Sequence, residues 1–185
     1  MLRRKSAYVT LGAAGVAAAL IAGGAYDVSA DVPHWKLTAS LLGVIRDRSV
    51  AVRAANVDVP DLSDPMMVST GAAHYAAMCA GCHLAPGTGD TELRRGLYPV
   101  PPDLTEGTRP PAESFQIIKH GIKMSAMPAW GVTHDDASIW ALVSFLEVLP
   151  SMDARAYASL ASEAGGHDHA EHGHEGGTAG PDTSG

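Results

Sequence analysis

The chain contains two cysteines, three residues apart, in the run Cys79-Ala80-Gly81-Cys82-His83. Cys-x-x-Cys-His reads as an attachment site for a c-type haem. Each thiol can form a thioether to one vinyl group of a single porphyrin, and His83 then offers an imidazole nitrogen to the iron as an axial ligand. On a helical turn, positions i, i+3 and i+4 are neighbours, so Cys79, Cys82 and His83 share a face. Ala80 and Gly81 are small enough to let the backbone lie close to the ring edge. Two other chemistries use paired cysteines. A thioredoxin-like redox pair expects βαβ surroundings, and no strand–helix–strand pattern flanks residue 79. A zinc site needs further ligands at knuckle-like spacing, and there is no second cysteine pair.

Composition narrows the class. A length of 185 residues suits one small domain with appendages. Both thiols are spent in the motif, so a structural disulfide is excluded once haem is attached. The formal charge of −7 and the lack of a basic stripe with interleaved aromatics exclude a nucleic-acid binder. Aromatics make up only 5% of the chain, so the polypeptide core is modest and a haem would supply the missing apolar mass.

Four segments follow one another. Residues 1–30 read as an export segment: Arg3, Arg4 and Lys5 precede an uncharged run from Ala7 to Tyr26, about 20 residues long. We read it as an uncleaved transmembrane anchor. The alternative is cleavage at Ala30, after the A-x-A-like Val28-Ser29-Ala30, which would release a soluble periplasmic protein. Either way the positive-inside rule leaves the remainder outside the cytoplasm, in the periplasm of a bacterium. Residues 31–62 hold an interfacial Pro33-His34-Trp35-Lys36, an amphipathic helix expected over 36–55 and a Pro/Asp linker.

Residues 63–150 form the third segment, the haem domain. Pro65 to Met78 reads as a helix with Asp64 as its cap, and it carries Gly71 and Tyr75 one turn apart. A helix from about Ala112 to His120 ends at Gly121. A last helix is expected from Thr133 to Leu149, with Thr133 and Asp136 as a capping-box-like start and Pro150 closing it. Gly71 is a notch where these first and last helices can cross, filled by Tyr75, Leu142 and Phe145. The stretch from Leu84 to Pro111 is rich in Gly and Pro and reads as a loop.

Gly71 and Tyr75 ahead of the Cys-x-x-Cys-His motif, then Met127-Pro128-Ala129-Trp130-Gly131, then Leu142-Val143-Ser144-Phe145-Leu146, resemble a class I monohaem c-type cytochrome of the membrane-tethered bacterial type. The resemblance covers about half the chain. It implies an all-α fold, a small cytochrome c fold wrapped round one covalent haem c, with a loop bringing a methionine to the iron. Met127 is the expected sixth ligand, because Met-Pro-Ala-x-Gly matches the ligand loop and Pro128 stiffens it. Met124, His120 and an open iron site are the alternatives. His74 and His134 are expected at the surface. Thioether ligation favours Fe(II) and raises the reduction potential. Pro86 is the expected carbonyl acceptor for the second ring nitrogen of His83. Arg94, Arg95, Tyr98 and Trp130 are chemically suited to the haem propionates.

Residues 151–185 read as a disordered His-rich tail. His167, His169, His172 and His174 lie within eight residues and could hold Cu, Zn or Ni. The function expected is electron transfer between a donor and an acceptor redox protein, without enzymatic catalysis. Two alternatives stand beside it. One is a subunit through which electrons reach an oxidoreductase complex. The other is a metal-handling protein that uses the tail. From Ser63 to Pro150 there are nine acidic and five basic side chains, a net of −4 that suits a basic or neutral partner face.

Overall fold

The computed structural model describes residues 2–165, and these form eight α-helices and no strand. The helices are α1 (Leu2–Ala22), α2 (Lys36–Ala54), α3 (Pro65–Met78), α4 (Ala80–His83), α5 (Glu92–Arg95), α6 (Pro111–His120), α7 (Asp136–Val148) and α8 (Ala154–Gly165). The all-α expectation holds. The four tail histidines, His167, His169, His172 and His174, lie outside the described residues.

Two helix starts follow local capping chemistry. Asp64 accepts from the Met66 N–H at 2.8 Å with Pro65 in the first turn, as the sequence implies. The start of α7 differs from expectation. Its cap is Asp135, whose carboxylate accepts from the Ser138 N–H at 2.8 Å, and a 3₁₀ turn over Trp130–Val132 occupies the stretch before it. Thr133 instead donates its hydroxyl to the Trp130 carbonyl at the end of that turn.

The core is the crossing of α3 on α7. Built on Gly71, a Cβ would meet the Ala141 carbonyl and lie 2.8 Å from Phe145 Cβ, so the two backbones are in direct contact. Tyr75, Ile139, Leu142, Val143, Phe145 and Leu149 are fully buried around this point. The Tyr75 and Phe145 rings stand 5.2 Å apart, and the Ser144 hydroxyl donates to the Leu62 carbonyl at 2.7 Å, tying the linker to α7. Helix α6 adds Phe115, stacked on Trp140 at 4.1 Å.

The compact unit extends beyond Pro150. Helix α8 packs on α3, and Tyr157 approaches both Tyr75 and Phe145. A tail beginning at Ser151 is therefore corrected for Ala154–Gly165. The pattern Tyr157, Leu160, Ala161 is amphipathic and Asp153 caps it by accepting from the Ala156 N–H, but so few large apolar residues look like low complexity until a groove receives them.

Helix α1 has the length expected of the N-terminal run, yet no helix among the described residues is long and apolar enough to cross a membrane.

The close crossing generates a prediction. Gly71→Ala forces a methyl into backbone already in contact, and should cost about 3 kcal/mol, read as a lowered denaturation midpoint at unchanged slope.

Candidate cofactor site

The five-residue motif is one helical turn. The Cys82 and His83 N–H groups both donate to the Cys79 carbonyl, at 3.0 and 2.8 Å. This places Cys79, Cys82 and His83 on the wall of one cavity, about 490 Å³ in volume. Its other walls include Met78 from α3, Ile117 and Ile118 from α6, Leu142 and Leu146 from α7, and Met127 and Trp130 from the segment between α6 and α7. The volume falls within the usual range for a bound organic cofactor.

Tyr75 links the core to the motif. Its hydroxyl donates to the Leu84 carbonyl at 2.6 Å and lies 3.2 Å from the His83 carbonyl. Burial pushes the phenol well above its ordinary range, so the group stays a neutral donor. Leu84 then turns the chain with a left-handed φ of 66°. That turn carries Ala85 and Pro86 away from the His83 ring, toward the start of α8, where a Cβ on Gly87 would lie 2.7 Å from Ala154 Cβ. The carbonyl that meets the His83 ring is consequently that of Pro102, 2.9 Å from Nδ1, and the expected acceptor Pro86 is corrected. A carbonyl only accepts, so Nδ1 carries the proton and Nε2 keeps its lone pair. Burial, the largest influence, lowers the His83 pKa, partly opposed by the Pro102 bond and aided by Arg94. The ring is held neutral, the form that ligates a metal.

Both thiols are unpaired and partly buried. Burial, reinforced by the neighbouring Cys82, pushes the Cys79 thiol up to about 12. The surroundings of Cys79 favour an uncharged sulfur, the state of a thiol or of a thioether. Among the described residues no group of three or more His, Cys, Asp or Glu could hold a metal ion.

The two methionine candidates separate. Met127 lines the cavity and packs against the core. Its carbonyl accepts from the Ile122 N–H at 3.1 Å and its N–H donates to the Ser125 hydroxyl at 3.2 Å. Gly121, at φ +65°, lets this loop close: a Cβ there would lie 2.7 to 2.8 Å from the Pro128 carbonyl carbon, the Ala129 nitrogen and the Met127 oxygen. Met124 is 88% exposed and does not reach the cavity. His120 is exposed, while His74 and His134 are partly buried against each other, ring centroids 5.8 Å apart.

Of the four residues suited to propionates, Trp130 lines the cavity. Arg94 instead donates to the Pro101 carbonyl at 3.0 Å and pairs with Asp90, bracing the loop that presents Pro102. Arg95 is exposed, and the Tyr98 hydroxyl accepts from the His34 N–H at 3.2 Å. The sequence reading missed Arg46, Val50 and Arg109, which line the cavity from α2 and from the loop before α6. No local motif marks them, because Arg46 looks like any residue on the polar face of an amphipathic helix. Two thiols, a neutral imidazole with its lone pair free, a thioether side chain and a largely apolar enclosure fit a haem c.

Residues 67–146 match the protein-family model described as cytochrome c oxidase, cbb3-type, subunit III. Comparison with curated proteins and with solved structures gave no match.

Two substitutions test the framework of the site. Tyr75→Phe keeps the ring and strands the Leu84 carbonyl, and should cost about 1–2 kcal/mol of unfolding free energy. Gly121→Ala should cost roughly 2–3 kcal/mol, through left-handed strain and collision with the Met127–Ala129 backbone, by the same measurement.

Proposed function

We propose that this c-type cytochrome domain is a one-electron carrier with one covalent haem c, joined through Cys79 and Cys82 and ligated by His83 and Met127. The observation that carries the reading is that these four side chains line a single apolar cavity within the segment that matches the family. When bound, the haem would supply an iron that exchanges a single electron, and His83 and Met127 would be the side chains that hold it. The protein's part is to hold and to exclude. Pro102 orients His83 through Nδ1, the Gly121–Pro128 loop presents the Met127 sulfur, and Leu142, Leu146 and Ile118 keep water from the cavity. This reading needs no proton transfer and no bound substrate.

The donor and acceptor are redox proteins, for which the net of −4 between Ser63 and Pro150 favours a basic or neutral docking face. A second reading is favoured by the description of the matched family: the domain serves as a subunit of a cytochrome c oxidase complex and passes electrons within it. The positively charged start and the uncharged run that follows support export, with the haem domain in the periplasm and the N-terminal helix at the inner membrane.

Met127→Ala tests the ligation. The oxidised wild type should show the weak far-red thioether-to-iron band, and its reduced form should ignore carbon monoxide; the variant should lose the band and bind carbon monoxide. A wild type that already binds carbon monoxide would overturn the carrier reading in favour of an open-iron enzyme or sensor.

A further inference from the structure

Helix α2 lies outside the segment that matches the family, yet it supplies part of the cavity wall. Arg46 and Val50 line the cavity from α2, and α2 packs on α6. Arg46 and Arg109 are the only Asp, Glu, Lys or Arg among the described residues that line it, and both are cations. The carboxylates that bind them are not part of the lining. Asp47 accepts from Arg46 Nε at 3.0 Å and from Arg109 Nη2 at 2.7 Å, so one carboxylate joins α2 to the loop before α6. Glu113 accepts from Arg109 Nη1 at 2.9 Å. The arrangement puts two arginines on the wall of a largely apolar cavity and keeps the carboxylates that bind them off that wall. A porphyrin of this class carries two carboxylates on an otherwise apolar ring, which matches the charge and the polarity of this lining.

We infer that α2 completes the haem site, with Arg46 and Arg109 as the counter-charges of the haem carboxylate edge, and that Asp47 sets how much positive potential they deliver to the iron. The inference rests on the reading of the cavity as a haem c site. Its redox consequence follows from Coulomb's law. Reduction adds one electron from the partner protein and lowers the charge at the iron by one, so a nearby cation favours Fe(II) and a nearby anion favours Fe(III).

The test is a spectroelectrochemical titration of the full-chain holoprotein at low ionic strength, comparing wild type, Arg46→Gln and Asp47→Asn. Arg46→Gln removes a cation and should shift the Fe(III)/Fe(II) equilibrium about threefold to tenfold toward Fe(III), where tenfold corresponds to 59 mV for a one-electron couple. Asp47→Asn removes an anion and should shift it toward Fe(II) by a similar factor. The opposite signs separate charge from packing, because loosening α2 admits water in both variants and moves both the same way. Shifts of the same sign, or shifts below twofold in both variants, overturn the inference. Failure of the Met127 assignment shows separately, as carbon monoxide binding by the wild type, and leaves the comparison of signs intact.

Discussion

The close approach of α3 and α7 at Gly71 is the constraint on which the rest depends. A hydrogen in place of a side chain lets the α3 backbone rest on the Ala141 carbonyl, and that distance buries Tyr75 against Phe145. With its ring fixed there, the Tyr75 hydroxyl reaches the Leu84 carbonyl just beyond the motif. A core contact thus sets the position of the turn that carries both thiols and His83. Helix α8 reinforces the same point by laying Tyr157 on this aromatic pair.

The loop between α4 and α6 turns that fixed position into an oriented imidazole. Arg94 braces the Pro101 carbonyl, and the next carbonyl, that of Pro102, holds His83 Nδ1. Prolines suit this role because they restrict φ and have no N–H to satisfy, so consecutive carbonyls can be aimed inward cheaply. The cavity treats its charged and neutral groups differently. Burial keeps the Cys79 thiol and the His83 ring uncharged, while the cations Arg46 and Arg109 line the same space and their carboxylates are not part of the lining. An apolar prosthetic group with an anionic edge is the kind of ligand such a lining receives.

Helix α2 changes how the domain is bounded. By sequence it is an amphipathic helix between an export segment and a haem module, suited to lying on a membrane, to packing on the module or to serving as a plain spacer. In the structure it packs on α6, shares Asp47 with Arg109 and walls the cavity. Its opposite face leaves Leu37, Leu41 and Val44 exposed beside Lys36 and Trp35, so one face walls the cavity and the other does not.

The sequence by itself determined the geometry of the Cys-x-x-Cys-His motif, because that geometry is local. Cys79, Cys82 and His83 need only one helical turn to share a face, and Asp64-Pro65 and Gly121 mark helix ends through interactions within a few residues. The periodicity of α7 and the notch at Gly71 also announced the crossing. The choice of Pro102 over Pro86, the packing of α8 and the arrival of Arg46 at the cavity were decided by tertiary structure alone. Each depends on contacts between residues far apart in the chain: the turn at Leu84 sends Pro86 toward α8, and the Asp47–Arg109 pair spans 62 positions. Composition and spacing carry no record of such distances, because only the folded backbone brings those groups within reach of one another.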